Sequence, residues 1–127
     1  MNLFRNQVLK LLKEISELNS RGVMIRIIGE IELLPPNVRQ PAAELEFKTR
    51  QNKKYILNIC FAYTSRLELL SASKKLLEAT NIKSSLNVED IDERLVKRSL
   101  YLSSNPQLVI RTSGEVRLSD FLLFQVN

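Results

Sequence analysis

The sequence predicts an α/β domain, a parallel sheet with crossover helices on both faces. Three short apolar runs, Val23–Ile28, Tyr55–Phe61 and Leu108–Ile110, have the character of buried strands. Between them lie stretches of helical pattern, long enough for the right-handed crossovers that parallel strands need. At 127 residues and 44% hydrophobic, the chain suits one domain or part of one.

The first element is a helix. Phe4, Val8, Leu11, Leu12, Ile15 and Leu18 recur at three- and four-residue steps and form one apolar stripe. Lys10 with Glu14 and Lys13 with Glu17 are i,i+4 pairs worth about 0.3 kcal/mol each. Gly22 stops the helix. The strand Val23–Ile28 follows, interrupted only by Arg26 and ended by Gly29. Leu33 to Pro36 is a connector, and Ala42 to Lys53 has helical composition. Pro41 belongs near the first turn of that helix, because inside it a proline costs about 3 kcal/mol. The polar run Arg50–Lys54 reads as a solvated helix end.

Tyr55–Phe61 is the second strand, and Asn58 within it needs a partner if it is buried. Thr64 or Ser65 caps the next helix, which runs to about Thr80, with Glu68 completing a capping box. Arg66 beside the cap is expected to brace the loop. Asn81 to Leu86 is a loop. Asn87 then caps a short helix, acidic at its start (Glu89, Asp90, Asp92, Glu93) and basic at its end (Arg94, Lys97, Arg98), as the helix dipole prefers. Those carboxylates read as a helix terminus and not as a metal site. Asn105-Pro106 turns the chain into the third strand.

Composition narrows the chemistry. The chain has no histidine, which excludes Ser-His-Asp and Cys-His catalysis and any histidine metal site. Cys60, the single cysteine, lies within an apolar run and reads as a small core residue. A net charge of +5 and a pI near 9.6 suit an anionic partner. Aromatics are only 6% and the basic residues are scattered, so a base-stacking nucleic-acid platform has little support. No run of about 20 apolar residues is present to span a bilayer.

The last fifth, LVIRTSGEVRLSDFLLFQ, carries the functional expectation. Arg111 follows the third strand at once, and Thr112, Ser113 and Gly114 form a turn. Arg117 and Ser119 come next, with Ser119 as N-cap of a helix opening at Asp120. Two guanidiniums and a hydroxyl thus fall between a strand's carboxyl end and a helix's amino end, where α/β folds bind anions. Two Arg forks suit a diphosphate. Spacing alone supports equally an ordinary surface, with Arg111 paired to Glu115 and Arg117 to Asp120.

Resemblance separates these readings. IRTSGEVRLSDFLLFQ (110–125) resembles the signature near the carboxyl end of cis-prenyltransferases, the undecaprenyl and dehydrodolichyl diphosphate synthase family. LNICFAYTSRLEL (57–69) and GVMIRIIGEIELLP (22–35) are similar to two further blocks of that family, in order and spacing. Ser113 and Asp120 draw the resemblance toward the eukaryotic, dehydrodolichyl branch. It covers the second half of the family domain, so residues 1–127 are expected to be that half, with further strands belonging to a first half. The implied activity is elongation of an allylic diphosphate such as farnesyl diphosphate with isopentenyl diphosphate, toward dolichol synthesis. Arg111, Arg117 and Ser119 match the family residues that grip isopentenyl diphosphate. The implied cofactor is Mg2+, but the early Asp-Gly-Asn-Arg-Arg motif whose Asp binds it has no match here. The chain alone is therefore expected to be inactive.

The implied partners are a second copy or a second cis-prenyltransferase-like subunit, with peripheral contact at the cytosolic face of the endoplasmic reticulum membrane and no nucleic acid. Departures from the family pattern are Gln107 for Asp, Leu67 for a polar residue and Phe124 for Trp. A non-catalytic subunit of a heteromeric enzyme, or a degenerate fragment, is the alternative reading. Such subunits tend to lose the Arg-and-Ser grip that this sequence keeps.

Overall fold

A computed structural model describes residues 2–82 and 86–126. The chain divides into two compact units, residues 1–62 and 63–127. The first holds helices α1 (Asn2–Lys13) and α2 (Ile15–Arg21), strand β1 (Val23–Ile28), helix α3 (Pro36–Thr49) and strand β2 (Tyr55–Cys60), with a 3-10 turn at Ile31–Leu33. The second holds α4 (Ser65–Asn81), a 3-10 turn at Val88–Asp90 and α5 (Glu93–Ser99).

In the first unit β1 and β2 pair in parallel, Val23 opposite Tyr55 through Ile28 opposite Cys60. The α/β class stands, with α3 as the crossover. Ile25 and Ile27 point to one side and join Val8, Ala42 and Leu45 in the buried core. Phe4 stacks on Phe61 beside it, with ring planes 8° apart. The single helix expected through Leu18 breaks at Glu14, and Glu17 pairs with Arg21 at 2.5 Å, one turn on, and not with Lys13. Gly22 ends α2 in the left-handed region (φ 71°). Gly29 is required for a stronger reason: at φ 135°, an added Cβ would lie 2.1 Å from the Phe61 carbonyl oxygen.

Side chains from α3 and the turn after it close the outer edge of β1. The Ile25 N–H donates to Thr49 Oγ1 (3.0 Å) and the Ile27 N–H to Glu46 Oε1 (2.7 Å). Asn52 Nδ2 donates to the Val23 carbonyl at 2.7 Å. Pro41, expected at the helix start, lies inside α3, which begins at Pro36. Its missing N–H frees the Asn37 carbonyl, and Arg5 Nε donates to that oxygen at 3.3 Å. Tyr55, Ile56, Leu57 and Asn58 of β2 are exposed, so Asn58 needs no protein partner.

In the second unit Thr64 caps α4, accepting from the Leu67 N–H at 3.2 Å. That cap puts Glu68 one position too far along for a capping box, and its carboxylate is used elsewhere. Arg66 is exposed and forms no hydrogen bond or ion pair among the described residues, so the expected brace is absent. The loop expected at 81–86 lies partly outside the described residues, with Asn81 closing α4. Asp92, not Asn87, caps the following helix, accepting from the Leu95 N–H at 2.7 Å.

Two expected elements near the carboxyl end do not form. Leu108, Val109 and Ile110 join no ladder and are 74%, 46% and 78% exposed. A strand is defined by its partner, and among the described residues the second unit contains none. The helix expected from Asp120 is replaced by turns, because Ser119, Asp120 and Leu122 adopt φ of 51°, 58° and 50°. Tertiary hydrogen bonds hold that shape. Ser65 N–H donates to the Asp120 carbonyl at 2.8 Å, and Ser65 Oγ accepts from the Leu123 N–H at 2.9 Å.

Two outcomes follow for stability. Thr49→Val keeps the shape of a side chain that is 0% exposed but leaves the Ile25 N–H unpaired, so urea denaturation should register a loss of about 1–3 kcal/mol. Ser119 caps no helix and is exposed, so Ser119→Ala should leave stability within about 0.5 kcal/mol in the same assay.

Candidate functional site

The chain from Arg111 to Ser119 reverses on itself. Ser113 and Gly114 both take positive φ, 71° and 66°, the combination that makes a tight reversal. Glycine accepts this at no steric cost, and nothing lies within 4 Å of where a Gly114 Cβ would be. The reversal brings Arg111 to Ser119: Arg111 Nη1 donates to Ser119 Oγ at 3.0 Å and also to the Arg117 carbonyl. Arg111 thus clips the loop shut with a single guanidinium nitrogen.

The two arginines differ in how their charge is met. Arg117 Nε lies 3.2 Å from Glu115 Oε2, and both side chains are substantially exposed. Such a pair contributes little to stability and is easily exchanged. Neither surface pairing that spacing allowed, Arg111 with Glu115 or Arg117 with Asp120, is formed. Arg111 instead meets only neutral acceptors, a hydroxyl and a carbonyl, and has no carboxylate partner among the described residues.

Arg111 and Ser119 sit at a cleft of about 300 Å³ whose other walls are Val109, Ile110, Leu118 and Phe121. The volume is at the small end for organic ligands. One end offers a cation and a hydroxyl, and the rest is hydrocarbon. Arg117 contributes its backbone carbonyl to the clip, while its side chain lines no part of this cleft. Among the described residues, no three acidic, cysteine or histidine side chains come together to hold a metal ion. Asp92 of the acidic run is occupied as a helix cap.

Behind the loop lies a buried network that sequence reasoning missed. Glu68 is 1% exposed. Its Oε2 accepts from the Tyr63 hydroxyl (2.5 Å) and Gln125 Nε2 (2.9 Å), and its Oε1 from the Leu102 N–H (3.0 Å). Gln125, also 1% exposed, donates in addition to the Leu102 carbonyl at 3.0 Å. The available signal was Gln125 itself, an amide inside the apolar run Phe121–Val126.

Comparison with known proteins identifies the family. The prenyltransferase family model of undecaprenyl diphosphate synthase matches residues 1–127. The chain is 41% identical over 128 residues to tritrans,polycis-undecaprenyl-diphosphate synthase (geranylgeranyl-diphosphate specific) of Pyrococcus abyssi, covering 99% of this chain and 48% of that protein. It is 40% identical over 129 residues to the human dehydrodolichyl diphosphate synthase complex subunit DHDDS, covering 100% of this chain and 38% of that one. The crystal structure of lavandulyl diphosphate synthase from Lavandula x intermedia, in complex with dimethylallyl diphosphate, superposes with a TM-score of 0.85 at 26% identity, over 98% of this chain and 54% of that chain. A probable undecaprenyl diphosphate synthase from Campylobacter jejuni gives a TM-score of 0.78 at 27% identity, over 91% of this chain and 51% of that chain. The chain spans about half the length, or less, of the relatives it matches. Because the family model matches residues 1–127, the chain belongs to the undecaprenyl diphosphate synthase family of prenyltransferases.

Proposed function

We propose that this chain forms the isopentenyl-diphosphate-binding half of a cis-prenyltransferase, with Arg111, Arg117 and Ser119 as the diphosphate grip. The observation that supports it most is Arg111, a cation met only by neutral acceptors at the mouth of an apolar cleft. An amphiphile with a diphosphate head and a five-carbon tail matches that division. The diphosphate would take over the Arg111 nitrogens and draw Arg117 away from Glu115, trading an exposed ion pair for charge-assisted bonds to the ligand.

In the whole reaction the allylic carbon loses diphosphate, the isopentenyl double bond attacks that carbon, and a proton leaves the isopentenyl unit. The contribution of these residues is to hold the nucleophile in place and balance its charge, with no covalent intermediate on the protein. Mg2+ belongs to the family reading, but the acidic side chains described here do not fit it, so no step is assigned to a metal held by this chain. The human relative's name supports dehydrodolichyl diphosphate as the product, while farnesyl diphosphate as the allylic substrate is carried by the family resemblance alone. The same name, a complex subunit, supports assembly with a further chain; that this is a second copy or a second cis-prenyltransferase-like subunit, at the endoplasmic reticulum membrane, is carried by the family resemblance alone. No helix among the described residues is long and apolar enough to cross a membrane.

Calorimetric titration tests the grip. The chain should bind isopentenyl diphosphate, and Arg111→Ala or Arg117→Ala should weaken binding about 10- to 150-fold, the loss of one charge-assisted contact of roughly 1.5–3 kcal/mol. Unaltered affinity in both variants would sink the assignment. A radiolabelled condensation assay with farnesyl diphosphate, isopentenyl diphosphate and Mg2+ addresses the division into halves. Product is expected only when the amino-terminal half of a homologue is added, and product from the chain alone would overturn the half-enzyme reading.

A further inference from the structure

We infer that the turn between α3 and β2 docks on an anionic bilayer surface, with Arg50, Lys53 and Lys54 meeting phosphate head groups and Phe47 entering the interface. This surface lies apart from the diphosphate grip and does not depend on it. Residues 47–55 read FKTRQNKKY, four cations and no carboxylate between two aromatic residues. Carboxylates of the neighbouring helices are already engaged: Glu17 with Arg21, Glu44 with Lys48, and Glu46 on the Ile27 N–H. Arg50, Lys53 and Lys54 are exposed and have no carboxylate partner among the described residues. The dipole of α3 accounts for cations in its last turn and at its cap, Lys48 and Arg50, but Lys53 and Lys54 lie beyond its reach.

The turn is held from behind, which fixes where its cations stand. Thr49 and Asn52 are bonded to β1, and Asn52 Nδ2 also donates to Asn19 Oδ1 of α2 at 2.8 Å. The Lys54 N–H donates to the Gly22 carbonyl at 3.1 Å. Gly22 leaves room for the Lys54 stem, since an added Cβ there would lie 2.9 Å from Lys54 Cβ. On the outer side the Arg50 guanidinium lies 3.9 Å from the centre of the Phe47 ring, and the Lys54 ammonium 5.3 Å from that of Tyr55. The two rings are 62% and 57% exposed. Exposed contacts of this kind are weak, so the cations can pass to phosphate oxygens and release the rings. Arg21 and Lys54 also line an open hollow of about 580 Å³ with Ser20, Val23 and Tyr55, which offers a head group two cations and a hydroxyl. A bilayer fits this surface better than nucleic acid does. Long cationic side chains set among exposed rings are the composition of a membrane interface. Single strands stack bases on free ring faces, and here each ring has a cation over one face.

Co-sedimentation with vesicles tests the surface. The chain should bind phosphatidylcholine vesicles that contain phosphatidylserine, lose that binding at high salt, and ignore vesicles of phosphatidylcholine alone. Lys53→Ala/Lys54→Ala should partition about twenty- to thirtyfold more weakly, which is about fivefold for each cation removed. Phe47→Ala should weaken partition severalfold and leave the salt dependence unchanged. Lys10→Ala/Lys13→Ala removes the same charge from the exposed side of α1 and should stay within about twofold, because those cations lie off the docking face. Circular dichroism confirms that each variant is folded. Calorimetry should show Lys53→Ala/Lys54→Ala binding isopentenyl diphosphate as the unmodified chain does, so failure of the grip and failure of this surface are told apart. An unmodified chain that ignores anionic vesicles, or equal losses in the two double variants, overturns the docking surface. Binding to single-stranded RNA and not to vesicles, lost in Lys53→Ala/Lys54→Ala, overturns the bilayer in favour of nucleic acid.

Discussion

The fold depends on how a two-stranded parallel sheet ends. Each strand of a parallel pair satisfies its partner with alternate backbone groups and leaves the others pointing away. On β1 those outward groups belong to Val23, Ile25 and Ile27. Asn52, Thr49 and Glu46 meet them in turn, at 2.7, 3.0 and 2.7 Å. The helix that crosses between the strands thus also closes the sheet on that side. It can do so because Thr49 turns its hydroxyl both ways, accepting from Ile25 and donating to the Leu45 carbonyl at 2.9 Å. Among the described residues this edge is met by side chains, a carboxylate among them, in place of a further strand.

The second unit uses the same substitution more heavily. From Leu100 to Val126 it has no helix or strand among the described residues, so its backbone groups need partners from elsewhere. Ser65 and Glu68 supply them, as Thr49 and Glu46 do in the first unit. In both cases short polar side chains on one helix end stand in for a ladder. The difference is consequence: in the first unit they terminate a sheet, while in the second they shape the segment beside the candidate site.

That difference explains what could be read from sequence. β1 was legible to the residue, because a run of six mostly apolar residues between two glycines admits few alternatives. β2 and α4 were nearly so. Two of the failures, at Pro41 and at Ser119, share a cause, the replacement of local preference by distant hydrogen bonds. Pro41 sits inside α3 because Arg5 of another helix accepts the duty of its missing N–H. Leu108–Ile110 has a strand's composition but no ladder among the described residues, and composition cannot show whether a partner exists. Ser119 would cap a helix if the next residues were free to coil, yet Ser65 claims the Leu123 N–H that the helix would need. At the site, the residues and their order were visible and their arrangement was not. Spacing offered two carboxylate pairings, and the structure forms a third, Arg117 with Glu115.

That third pairing decides the electrostatics of the loop. Arg111, Glu115, Arg117 and Asp120 sum to no net charge, so attraction for an anion cannot come from the loop as a whole. It has to come from how the charges are distributed. Pairing Glu115 with Arg117 consumes one cation in an exposed contact of about 0–1 kcal/mol. The other cation lies at the cleft, bonded to a hydroxyl and a carbonyl that, under the proposed reading, a diphosphate oxygen would displace, since charged acceptors bind a guanidinium roughly twice as strongly as neutral ones. The overall basicity of the chain adds only a long-range field, screened within about 10 Å at ordinary ionic strength. Under the proposed reading, recognition at this cleft is a local matter of how two arginines are met, Arg111 without a carboxylate among the described residues and Arg117 in an exposed pair that a ligand can replace.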